Sequence, residues 1–327
     1  LAHVRTASAK LLMGKDNLPT REQVVEAGER IRGLVVETPL RPLRLGGHAV
    51  WLKCESLQTG GSFKLRGASN RLALLNEAER RAGVVAFSSG NHAQGVAIAA
   101  RRLGIPATIV MPADAPAPKV AGTREQGADI VFYDRVSEDR VAISHALAAE
   151  RGAVVVPSFD DPHIIVGQGT AGLELLSQCP EPVRRIIVCC GGGGLAAGLA
   201  LAVPEAEIVV VEPEGWDDMR RSLELGHIVP VPADARPTAC DALQTPLVSP
   251  LTFGVLQARG ATGVSVSEDD VRAAVRFAWH ELGLVVEPGG AAALAAALAG
   301  KVTLEAGTVV MVTGGNMDPA THAAWVA

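Results

Sequence analysis

At 327 residues the chain is too long for one small core, so two lobes are expected. Hydrophobic residues at 48% against 20% charged exclude a disordered chain, and aromatics at 3% leave Ala, Val, Leu and Ile to build the core. A formal net charge of −5, with no basic tract, excludes nucleic acid as an expected partner. The first residues, "LAHVRTASAKLLMGKDNLPT", show no apolar run or cleavage pattern, so no signal peptide is expected. Thr20 with Gln23 makes a capping-box pattern that predicts a helix over "REQVVEAGERI". Beyond it the β-branched runs "GVVAF", "ATIVM", "DIVFY", "AVVVP", "RIIVCC", "EIVVVE" and "TVVMV" read as buried strands. Ala-rich stretches at 92–103, 138–151, 167–178, 194–203, 268–282 and 290–299 read as helices between them. This alternation predicts a parallel α/β architecture whose ligand lies in a crevice at the strand C-termini. Residues 186–204 are uncharged and long enough to span a membrane, but four successive glycines favour a strand, a loop and a helix instead. Five scattered cysteines (Cys54, Cys179, Cys189, Cys190, Cys240) include no CxxC pair, which argues against a thiolate zinc site and suits a reducing, cytoplasmic compartment.

Four segments carry chemistry. In "GGSFKLRG" Lys64 is conspicuous because the chain has six lysines against 24 arginines. A guanidinium stays charged, whereas a buried lysine can lose its proton and attack a carbonyl. "SSGNHAQGVA", 88 to 97, opens a helix after a strand and offers hydroxyl, amide and N–H groups to a carboxylate. "CCGGGGLAAG", 189 to 198, lets several N–H groups converge on one phosphate at a helix start. It is neither a Walker loop nor a dinucleotide fingerprint, since no Gly-Lys-Ser/Thr follows and the glycine spacing differs. "VTGGNM", 312 to 317, ends a buried strand on a hydroxyl. Bland alternatives stand beside each: an exposed lysine, a capped helix, a flexible turn and a strand end. An amine, a carboxylate cradle, a phosphate cradle and a buried hydroxyl together suit pyridoxal 5′-phosphate and an amino acid. A non-catalytic nucleotide-binding module is the rival that the glycine loop alone would allow.

"GGSFKLRGA", "SSGNHAQGVA", "GQGTAGLELL", "CGGGGLAAG", "VVEPGGAAALAA" and "TGGNMD", in that order, resemble the fold type II pyridoxal-phosphate enzymes. The nearest group is that of serine/threonine dehydratases, serine racemases and hydroxyaspartate dehydratases, and the likeness runs from about 37 to 318. It implies two open twisted parallel-sheet αβα lobes with the cofactor in the cleft between them. A large lobe would comprise 1–75 plus 159–327, and a small lobe 76–158. By the resemblance Lys64 carries the cofactor, Phe63 packs on its ring and Asn91 bonds its 3′-oxygen. Gly191, Gly192, Gly193, Gly194 and Leu195 bind its phosphate, and Thr313 meets the pyridine nitrogen. Ser88, Ser89, Gly90, Asn91 and His92 hold the substrate carboxylate, with Ser89 on the face opposite Lys64. Glu212, Asp218 and the carbonyl of Trp216 match a divalent-ion site for Mg²⁺, with Ca²⁺ or Mn²⁺ as alternatives; the bland reading is an acidic helix start. The implied activity is elimination of water from serine, threonine or 3-hydroxyaspartate; a racemase or a β-replacement synthase on the same fold is the alternative. Arg140 could meet a β-carboxylate or be a solvated helix charge. The segment "TACDALQTP", 238 to 246, departs from the family's pattern near the substrate. A homodimer is implied, and no regulatory amino-acid domain is expected after "TGGNMD".

Overall fold

The computed structural model describes residues 18–115 and 117–327, so the expectation of no signal peptide falls mostly on residues outside the described ones. The chain begins with α1 (Arg21–Arg30), the hairpin β1 (Leu40–Leu45) and β2 (His48–Cys54), then α2 (Lys64–Ala73) and α3 (Glu77–Ala82). Next come β3 (Val84–Phe87), α4 (Asn91–Leu103), β4 (Ala107–Pro112), α5 (Ala117–Glu125), β5 (Asp129–Tyr133), α6 (Arg140–Arg151) and β6 (Val154–Val155). The chain continues through α7 (Pro162–Gln178), β7 (Arg185–Cys189), α8 (Gly194–Ala202), β8 (Glu207–Pro213), α9 (Asp218–Leu225) and α10 (Pro250–Ala258). It closes with β9 (Thr262–Val266), α11 (Glu268–Leu282), α12 (Pro288–Leu298), β10 (Thr308–Val312) and α13 (Pro319–Val326).

Two sheets result, a six-stranded one in the order β1-β2-β10-β7-β8-β9 and a four-stranded one in the order β5-β4-β3-β6. All pairings are parallel except β1 with β2. That hairpin turns on Gly46 and Gly47, both at positive φ, as a two-residue turn with right-handed strand twist requires. It went unpredicted because β1 is an edge strand bearing two arginines and Pro42, which only an edge tolerates. Strands β7, β8 and β10 are buried on both faces, which explains their unbroken apolar runs. We propose lobe boundaries at 75/76 and 158/159, because they leave each sheet whole.

The capping box at α1 forms as expected: Thr20 Oγ1 accepts from Gln23 N, and Gln23 Oε1 accepts from Thr20 N. Helix α7 starts five residues before its apolar pattern. Asp161 caps it by accepting from His163 N and Ile164 N, and Pro162 sits in its first turn, where a missing N–H costs nothing. This helix packs between α2 and α8 through glycines. A Cβ on Gly167 would lie 2.7 Å from Gly67 Cα, and one on Gly198 would lie 2.5 Å from Gly169 N. No larger residue fits these crossings without moving a helix, and the helices so fixed begin at Lys64 and at the glycine loop.

Behind α2 lies a buried ion network. Arg66 donates to Glu55 (2.7 and 2.8 Å) and to Glu174 (2.6 and 2.8 Å), and Lys53 Nζ meets Glu174 at 2.5 Å. Thr38 Oγ1 donates to Glu55 at 2.6 Å. Every charge has a partner, the condition on which buried charges are tolerated.

Candidate active site

A cavity of about 750 Å³ is lined by residues of both lobes, including Lys64 from α2, Ser88 and Ser89 after β3, and Thr245. The C-terminal ends of β3, β7 and β10 lead into the segments around it, the place expected for a ligand in an open α/β sheet. Lys64 Nζ donates to the Ser158 carbonyl at 3.1 Å and lies 5.0 Å from the Phe63 ring centroid. Burial pulls its amine from the ordinary lysine value down to about 8, against the opposing pull of Cys189 and Glu287. The Phe63 ring packs on the large core under that amine.

Helix α4 starts at Asn91 with Gly90 as N-cap and no side-chain cap, so its first N–H groups are left for a ligand. Ser88 Oγ accepts from Gly90 N at 3.1 Å, and the Ser89 hydroxyl has no hydrogen-bond partner among the described residues. His92 Nε2 lies 2.9 Å from the Val156 carbonyl, so that nitrogen donates and Nδ1 is a bare acceptor. Burial, and then Lys64, holds the ring neutral with a pKa of about 3. The imidazole therefore brings no charge to a carboxylate, and backbone N–H groups and hydroxyls of the loop are the available donors. Asn91 donates from Nδ2 to Glu287 Oε1 at 2.5 Å and accepts at Oδ1 from Asn316 Nδ2 at 2.7 Å. One N–H of its amide has no partner among the described residues.

The glycine loop enters α8 through Gly193, an N-cap at φ +85° with no side-chain cap. A Cβ on Gly192 would collide with the Phe159 ring, and one on Gly193 would lie 2.8 Å from Met219 Cε. Gly191 to Gly194 do not themselves line the cavity; Phe159 does, with its ring across Gly192. Leu195 puts its side chain in the core, leaving its N–H as its contribution to any anion site. Thr313 is buried at the end of β10, its Oγ1 3.0 Å from Cys189 Sγ. Burial pushes the Cys189 thiol up to about 11, so a neutral thiol backs a neutral hydroxyl.

Helices α1, α3, α6, α7, α10, α11 and α13 carry side-chain N-caps, whereas α2, α4, α8, α9 and α12 carry none. The first N–H groups of α9 are taken by Glu212, and the other four uncapped helices start around the cavity and glycine loop. Free N–H groups at these starts, a lowered lysine amine and a cradle that any Cβ would fill suit a phosphate-bearing aldehyde cofactor and an amino-acid carboxylate.

Glu212 and Asp218 lie behind the glycine loop and are buried. Glu212 accepts from Met219 N at 3.0 Å and Arg220 N at 2.8 Å; Asp218 Oδ2 accepts from Val248 N at 2.8 Å. Neither forms an ion pair among the described residues; their neighbour Asp217 holds Arg220 and Arg221 instead. Burial, with repulsion from Asp218 and Asp217, pushes the Glu212 carboxyl well above its ordinary range, and burial, with repulsion from Asp217, pushes Asp218 up to about 6. Among the described residues no group of three His, Cys, Asp or Glu side chains converges on one point, so any cation here would also need the Trp216 carbonyl.

Sequence reasoning gives no role to several cavity groups, among them Glu287 in "VVEPGG" and Lys119 of α5, which reaches Asp241 at 3.3 Å in the segment that departs from the family pattern. Arg140 lines the cavity, its guanidinium 5.7 Å from the Phe87 ring centroid, with no carboxylate partner among the described residues. No helix of the described residues is long and apolar enough to cross a membrane.

The family model described as "Pyridoxal-phosphate dependent enzyme" matches residues 31–315. An L-threo-3-hydroxyaspartate ammonia-lyase of Pseudomonas sp is 44% identical over 310 residues, covering 92% of this chain and 96% of that one. Maize serine racemase superposes with a TM-score of 0.87 at 36% identity, covering 93% of this chain and 95% of that one. The processed form of threonine deaminase isoform 2 from Solanum lycopersicum gives 0.84 at 34% identity, covering 94% and 89%. The lysine, the uncapped starts of α4 and α8 and these likenesses lead to one conclusion: the chain belongs to the pyridoxal-phosphate dependent enzymes, with the two-lobed parallel α/β fold of their type II.

Proposed function

We propose that the protein is a dehydratase, an ammonia-lyase that removes water from a β-hydroxy amino acid, with 3-hydroxyaspartate preferred over serine and threonine. The observation that carries this reading is the meeting, in one cavity, of a lysine amine lowered to about 8 and the uncapped start of α4. When bound, pyridoxal phosphate supplies the electron sink for negative charge at Cα. The N–H groups of α4, with Ser88 and Ser89, hold the substrate α-carboxylate. Neutral Lys64 removes the Cα proton. Thr313 would offer the bound cofactor a neutral hydroxyl rather than a carboxylate, which would favour prompt loss of the β-hydroxyl. The proton and the hydroxide leave as water; the released enamine takes up water and yields a 2-oxo acid and ammonia. Arg140, in the cavity wall with no carboxylate partner among the described residues, supports a substrate bearing a β-carboxylate, as does the name of the Pseudomonas relative.

A second reading, racemase activity, is favoured by one observation: the free Ser89 hydroxyl in the cavity. The reading also includes a homodimer, a cytoplasmic location and a divalent cation on Glu212, Asp218 and the Trp216 carbonyl. Mg²⁺ leads, with Ca²⁺ or Mn²⁺ as alternatives. Two buried carboxylates that form no ion pair among the described residues support the cation. The test is product analysis of the loaded enzyme with L- and D-serine, threonine and threo-3-hydroxyaspartate, in wild type and Arg140→Ala. Oxo acid and ammonia from hydroxyaspartate, lost selectively in the variant, are expected. Release of the opposite enantiomer alone, with no oxo acid, would replace the dehydratase by the racemase.

A further inference from the structure

We propose that Glu287 is a positioning residue of this site, whose carboxyl turns the Asn91 amide toward the cavity and whose second oxygen is left for the cavity. The inference rests on the reading of this cavity as the cofactor and substrate site.

Three features of the fold carry it. Glu287 is the N-cap of α12, yet its side chain makes no cap hydrogen bond to its own helix. It reaches instead to Asn91 Nδ2, 196 residues away in sequence, and lines the cavity. Room for it comes from the first glycine of "GGNM": a Cβ on Gly314 would collide with Glu287 Oε1. The Gly314 carbonyl also accepts from Glu287 N at 3.0 Å, so this part of the chain is shaped around the carboxyl.

The chemistry follows from its partners. Glu287 Oε1 accepts from Asn91, so in the neutral acid the proton sits on Oε2, which has no hydrogen-bond partner among the described residues. The ionisable groups facing it are Lys64 from α2, Lys119 from α5, Asp241 and Cys240 from the 238–246 segment, and Cys189 from β7. None pairs with it, and Lys119 is engaged by Asp241. Desolvation outweighs them and pushes the carboxyl up to about 7. Below that pH it is a hydrogen-bond donor that adds no charge beside Lys64. Above it, a carboxylate raises the lysine's proton affinity and the cavity loses a donor. Because Asn91 has both its oxygen and one N–H committed, Glu287 also decides that the remaining N–H points to an acceptor in the cavity.

The test is a pH titration of the visible absorption band of the cofactor-loaded enzyme, in wild type and in Glu287→Gln, which mimics the protonated acid. Wild type is expected to show a transition with a midpoint near 7, and Glu287→Gln none in that range. The same transition in the variant would overturn the proposal. If Glu287→Gln takes up no cofactor, infrared pH-difference spectra of the two unloaded proteins decide: the variant must lack one protonated carboxyl that titrates near 7. Identical spectra would overturn it. A wild type that shows no cofactor band at all would sink the functional reading instead, and the infrared comparison would still judge Glu287.

Discussion

Gly167→Ala tests how the backbone places Lys64. The new methyl would lie 2.7 Å from Gly67 Cα, 2.8 Å from Asn70 Cβ and 3.0 Å from the Arg66 carbonyl oxygen, where ordinary contact starts at 3.4 Å. Helix α2 must therefore retreat from α7 by about 0.7 Å. Two terms oppose each other. Alanine gains up to ~1 kcal/mol of helix propensity over glycine. Overpacking two backbones costs about 1–3 kcal/mol, so a net loss of up to ~2 kcal/mol is expected. Activity suffers more. Lys64 begins the helix that moves, and a displacement near 1 Å can cost about 100-fold in rate, so a loss of about tenfold or more in kcat/KM is expected. Steady-state release of oxo acid and a thermal melt measure the two effects. Gly122→Ala is the control: it sits in α5 with its nearest neighbour 3.9 Å away, and should be neutral or gain up to ~1 kcal/mol. Wild-type activity and melting in Gly167→Ala would refute the claim that this contact sets the lysine.

Arg66→Met removes the shared partner of Glu55 and Glu174 and should cost about 3–5 kcal/mol at neutral pH by chemical denaturation. Glu55 is held below the ordinary carboxylate value by Arg66 despite burial, so its contribution is present at neutral pH and lost as pH falls through its folded value. The deficit of the variant should accordingly narrow in acid; a deficit that is constant with pH would contradict the role of the pair. In the unloaded chain Lys64 should react with an amine reagent with a midpoint near pH 8. An ordinary lysine has a midpoint near 10.4, so at pH 7.5 the neutral fraction is roughly two-hundred-fold greater. A pKa lowered in the fold also makes stability rise between pH about 8 and about 10.5. Chelation of a cation bound at about 100 times its Kd should remove ~2.7 kcal/mol of stability, restored by Mg²⁺ and absent in Asp218→Asn; a melt indifferent to chelator would remove the cation from the account.

Local pattern reached far into this protein. Lysine scarcity singled out Lys64, and a strand running into small polar residues and a helix singled out Ser88 to His92, because both signals lie within ten residues. The apolar runs of β7, β8 and β10 were legible since strands buried on both faces need no alternation. What escaped depends on meetings across the chain. The hairpin was hidden by the arginines and Pro42 of an edge strand. Nothing near Phe159 announces that its ring crosses Gly192, and nothing near Glu287 says that an N-cap carboxyl turns from its helix to Asn91. The network of Lys53, Glu55, Arg66 and Glu174 forms only once β2, α2 and α7 are packed.

The central claim is that the Lys64 amine carries the cofactor. The most direct measurement is the visible absorption of the protein loaded with pyridoxal phosphate, before and after borohydride, with the reduced adduct mapped by peptide mass. A visible band that bleaches on reduction, with the adduct on the peptide containing Lys64, is the predicted result. A protein that takes up no cofactor, or an adduct on another lysine, would contradict the account.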